Sequence, residues 1–193
     1  MRRFLQLAFL ATLLAPTAAL AHTGVGDKSG FMHGFMHPLG GLDHQLAMIL
    51  VGIFAYQLDG RALWLVPLTF VGIMAVGGFL GIAVIPVPFI EIGIALSVIV
   101  LGAIVAFGVK VPVAVAMGIV GLFAIFHGHA HGSEMPMDAS GIGFMLATAL
   151  LHAVGIGIGF MIGMTTKWLG NNVYRVAGGL ASVAGVGILL GVI

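Results

Sequence analysis

From residue 38 onward, six predominantly apolar stretches alternate with short polar breaks, and each approaches the roughly 20 residues that a helix needs to cross the hydrocarbon core of a bilayer. They lie near 38–57, 63–84, 89–108, 111–127, 140–165 and 172–192. The breaks carry stop signals: Asp59-Gly60-Arg61, Pro86-Val87-Pro88, Lys110-Val111-Pro112, the stretch from His127 to Asp138, and Lys167 to Asn172. Pro38, Pro67 and Pro112 stand near helix starts, where a missing N–H costs least. Residues 1–21 follow another pattern: Arg2-Arg3, an apolar run from Phe4 to Leu14, then Ala19-Leu20-Ala21, an A-x-A site. This is the layout of a secretory signal peptide, whose removal leaves His22 as the mature N-terminus; an uncleaved signal anchor is the competing reading. The expected architecture is all-α, a polytopic membrane helix bundle: signal peptide 1–21, then a single domain over 22–193 with six transmembrane helices.

Positive charge orients the bundle, because Lys and Arg collect in short cytoplasmic loops. With the mature N-terminus outside, Arg61, Lys110, Lys167 and Arg175 all fall on the cytoplasmic side and Lys28 alone falls outside. Signal peptide and charge bias agree on a bacterial cytoplasmic membrane with a periplasmic N-terminus. Composition closes off other classes. The chain of 193 residues is 61% hydrophobic and 7% charged, against roughly a quarter charged in soluble domains. A net charge of +1 offers no surface for nucleic acid, and the absence of a P-loop argues against nucleotide-driven pumping. Cysteine is absent, so any metal is held by imidazole, carboxylate, thioether, backbone or water. Glycine is abundant, and Gly155, Gly159 and Gly163 recur every fourth residue, a spacing that lets helix backbones approach closely in lipid. A homo-oligomer stays open beside a single copy.

The polar residues that remain are largely histidines, and most fall in two clusters that this topology puts at the outer face with Glu134 and Asp138. In the first, His33 and His37 are one helical turn apart, whereas His37 and His44 would lie about 10 Å apart on a regular helix. A break at Pro38, Gly40 and Gly41 would bring His37 back toward Asp43 and His44. Asp43 then serves as a direct ligand, as the acceptor that fixes an imidazole tautomer, or simply as a wetted cap. Met48 could add a thioether but suits core packing better. In the second cluster, a helix would place His127, His131 and Glu134 along one stripe, and an irregular segment would leave His127, His129 and His131 free to converge. The alternative is an incidental polar loop.

His152, about a dozen residues into the fifth stretch, is either a pathway ligand or a neutral hydrogen-bonder between helices. Glu91 opens the third stretch near the outer face, where it either attracts metal or is simply solvated at the interface, and Arg175 reads as an orientation anchor rather than a gate. A terminal His22 would chelate through its α-amine and ring nitrogen, a pair suited to Ni²⁺ or Cu²⁺, unless that segment is disordered.

Three segments, HPLGGLDH at 37–44, FHGHAHGSE at 126–134 and LLHAVGIGIGF at 150–160, together resemble the HupE/UreJ family over essentially the whole chain. The resemblance implies a permease carrying Ni²⁺, with Co²⁺ within its range, as transported substrate and not as prosthetic group. It further implies a link to hydrogenase or urease maturation proteins, and maps the family motifs onto His37, Asp43 and His44 and onto His127, His131 and Glu134. Inward movement of a divalent ion gains about 4.6 kcal/mol per 100 mV, enough to sustain accumulation without ATP. Because imidazole must be deprotonated to bind, uptake should fall as the pH drops through about 6 to 6.5. Two rivals compete: a metal sensor or donor that binds without translocating, and an intramembrane zinc hydrolase, for which the HExxH helix motif is missing.

Overall fold

The computed structural model describes residues 30–134 and 140–193. The expectations for the signal peptide, His22, Lys28 and Asp138 lie outside the described residues. The chain opens with α1 (Gly30–Met36), tightens into a 3₁₀ turn at His37–Leu39, and bends by 79° into α2 (Leu42–Leu58). There follow α3 (Ala62–Ile82), α4 (Ile90–Phe107), α5 (Val113–Glu134), α6 (Gly141–Gly163) and α7 (Lys167–Leu189). Helices α3 to α7 are each long and apolar enough to cross a membrane, and the bent α1–α2 unit makes a sixth candidate span.

Three boundaries differ from the hydropathy pattern. The first span does not begin cleanly at residue 38, because Pro38 and Gly40 sit in the turn that breaks α1 from α2. Helix α5 does not stop at His127 but continues to Glu134. Helix α7 starts at Lys167, where Thr166 Oγ1 accepts from the Leu169 N–H at 3.3 Å, so the polar run to Asn172 is helix and not a break. In each case hydropathy ends at the polar residues, whereas the helix ends only where its backbone groups find other partners.

Three helix pairs make the tightest seams: α3 with α5, α4 with α7, and α2 with α6. Glycine permits each approach. A Cβ on Gly128 of α5 would sit 2.9 Å from Gly78 N of α3, and one on Gly52 of α2 would sit 2.9 Å from the Gly155 Cα of α6. The Gly155/Gly159/Gly163 stripe does face α2: Gly159 and Gly163 lie against the Tyr56 side chain. Between α4 and α7, Ser182 Oγ donates to Ile99 O at 2.9 Å. Small residues thus let van der Waals contact and side-chain hydrogen bonds hold the bundle where lipid supplies no hydrophobic drive. Leu68, Phe79, Leu122, Phe160 and Leu180 remain outward and exposed, as a lipid-facing surface requires.

Candidate metal centre

The break before α2 sets up the site. It places His44 in the first turn of α2, facing the bundle interior at 1% exposure, while Asp43 Oδ1 accepts from the His44 backbone N–H at 2.8 Å. From α5, His127 and His131 are one turn apart and face the same way. The three imidazoles meet: His44, His127 and His131 each offer one nitrogen, all within 4.8 Å of one another. His131 Nε2 lies 3.0 Å from His44 Nδ1. Two nitrogens each about 2.1 Å from one ion and at right angles around it would be about 3.0 Å apart, so this edge already has coordination dimensions.

A second trio overlaps the first. His37, His131 and Glu134 bring their ligand atoms within 4.8 Å, with Glu134 exposed and the two histidines half-buried. His131 belongs to both sets. The Phe144 ring of α6 forms a wall along them, with ring centroids 4.4 Å from His131, 5.6 Å from His44 and 6.3 Å from His37.

Hydroxyls fix the buried imidazoles. Ser97 Oγ of α4 donates to Ile94 O at 2.6 Å, which commits its one proton, so His127 Nε2–H donates to it across 2.8 Å. The same arithmetic applies at Thr148, which donates to Phe144 O at 3.1 Å and takes the His44 Nε2–H at 3.3 Å. Both rings are left with a lone pair on Nδ1; that of His127 is buried without a hydrogen-bond partner. A hydrogen bond to the far nitrogen that fixes tautomer and orientation is characteristic of metal-ligating histidine.

His152 lies deeper. Its backbone packs against Gly52, eight residues beyond His44 and so about 12 Å further along α2. The side chain is 1% exposed, and neither ring nitrogen has a partner. Phe70 of α3 touches both His152 and His127, at 5.3 and 5.8 Å between ring centroids.

Other candidates stand apart. His129 points away from the cluster, its Nε2 lying 2.8 Å from Ile85 O in the α3–α4 loop. His33 on α1 belongs to neither trio, Asp43 is bound to backbone, and Glu91 is exposed in the first turn of α4. Ser97, Thr148 and Phe144 were not among the sequence candidates. A hydroxyl inside an apolar run gives no pattern by which to recognise it, although its position within a span marks it as a polar group in need of a partner.

No solved structure matches the chain. Among curated proteins, "Protein HupE" of Rhizobium leguminosarum bv. viciae is 47% identical over 186 residues, covering 94% of this chain and 95% of its own length. The family described as HupE / UreJ protein matches residues 10–188. With that extent of agreement, and with the histidine motifs meeting inside a helical bundle, the chain belongs to the HupE/UreJ family.

Proposed function

We propose that this protein is a permease that carries Ni²⁺, and Co²⁺ as second cargo, inward across the bacterial cytoplasmic membrane by secondary transport or facilitated diffusion. The carrying observation is the pair of ligand trios that share His131, one half-exposed and one buried. Glu134 and His37 attract and begin to dehydrate the ion; His131 passes it to His44 and His127. The inner trio holds no carboxylate. Neutral nitrogen donors favour transition metals over Mg²⁺ or Ca²⁺, and without a fixed negative charge the trap stays shallow enough for release.

His152 is the next ligand in this reading. Side chains on a helix tilt toward its N-terminus, which for α6 is the histidine end, so the imidazole reaches back toward the cluster. In this reading the histidine end faces the periplasm, as the charge bias favours, and nickel as cargo links the protein to hydrogenase or urease maturation. Asp43 acts here through the field it adds near the mouth, and His22 and His33 as outer collectors. No catalytic step is assigned to the chain.

Proteoliposomes loaded with a lumenal metal indicator test the reading. Ni²⁺ should enter with time, faster under an inside-negative potential and ahead of Mg²⁺ and Ca²⁺. Protein that binds nickel yet delivers none to the lumen would be a sensor or donor instead.

A further inference from the structure

At the end of the bundle opposite the histidines, a cavity of about 580 Å³ opens between the last turns of α2, α4 and α6 and the first turns of α7. Its volume lies within the range of small-molecule sites, about 300–1,000 Å³. Bonds between helices and loops shape its walls. Gln57 Nε2 donates to Val105 O at 3.1 Å, Tyr174 Oη donates to Gly159 O at 2.8 Å, and Lys110 Nζ turns inward to donate to Gln57 O.

The lining offers both signs of partner. Lys110 and Arg175 supply positive charge and Asn171 an amide, while Asp59 supplies one carboxylate. Among the described residues, no ion pair ties Asp59 to either cation. Gln57 Oε1 is buried with no donor to meet it, a costly state that a bound O–H or N–H would relieve once the amide turns toward the cavity. A bare divalent cation does not fit, because Lys110 and Arg175 repel it. What fits carries several anionic oxygens and at least one hydrogen-bond donor.

We propose that this cavity binds a small hydroxy- or amino-polycarboxylate. Such molecules have more oxygens than the two cations can occupy, and the remainder chelate divalent transition metals. An occupied cavity would therefore receive the ion on its way off the protein. That hand-off rests on the permease reading, whereas the binding does not.

Citrate is the probe, and tricarballylate, with the same three carboxylates but no hydroxyl, is its control. Calorimetric titration into metal-free protein in phosphatidylcholine nanodiscs should show saturable citrate binding. Tricarballylate should bind about tenfold more weakly, and Arg175→Gln or Lys110→Gln should weaken citrate by at least about tenfold. Failure to bind citrate, indifference to both substitutions, or equal affinity for tricarballylate would each overturn the proposal. Citrate affinity should be unchanged in nanodiscs containing phosphatidylglycerol; displacement there would assign the cavity to a lipid headgroup and overturn it too. Protein that binds citrate but moves no nickel refutes the permease reading alone, and protein that moves nickel without binding citrate refutes this one alone.

Discussion

The histidine end and the opposite end of the bundle handle charge in contrary ways. At the first, neutral imidazoles are buried and held by Ser97 and Thr148; at the second, exposed Lys110, Arg175 and Asp59 surround an open cavity. A cation losing its water needs fixed donors in place of hydration, which the first end supplies. On the proposed route a cation leaving needs weak attraction, which like charge at the second end would supply. Between them Phe54, Val66, Leu101 and Val120 are fully buried. This apolar layer separates the ends, so on the proposed route passage would require the helices to part.

The largest expected effect erases both ends together. Gly128→Leu drives a side chain into the α3 backbone and should cost about 3 kcal/mol or more, seen as loss of the monodisperse peak in size-exclusion of detergent extracts. Next, His44→Ala should lower nickel uptake at least about 100-fold while membrane abundance is unchanged; normal uptake would remove the buried trio from the pathway. Ser97→Ala touches no ligand directly, yet it frees the His127 ring, and nickel affinity by calorimetry should fall about 10- to 100-fold, with recovery in Ser97→Thr. Glu134→Gln should raise the half-saturating nickel concentration only about threefold without altering the maximal rate, as befits an exposed charge. The smallest effect belongs to the far end: Arg175→Gln should leave equilibrium nickel affinity within about twofold, since fields screened by solvent barely reach across the bundle. A larger change there would mean that the two ends are not independent.

Much of this was legible in the chain. Apolar stretches of spanning length gave the helices, and an ionisable residue in such a stretch singled out His152. The stripe of His127, His131 and Glu134 follows from 3.6 residues per turn once the segment is helical. The same rule separates His129, which is about 200° around the helix from His127 and so faces the α3–α4 loop instead of the trio. What was not legible depends on contacts between distant segments. Ser97 and His127 are 30 residues apart, Thr148 and His44 are 104 apart, and spacing along the chain carries no record of either. His37 joins His131 and Glu134 because the 79° bend redirects it, an angle that Pro38 makes plausible without fixing.

Each of the tightest seams joins one of the first three spans to one of the last three. During synthesis, α2, α3 and α4 therefore emerge from the ribosome before the helices whose backbones they are shaped to meet. Their glycine faces wait unmatched in the membrane, and His44 waits for α5. A chain halted after residue 107 would be an unfinished membrane protein awaiting proteolytic clearance, with no working half to salvage.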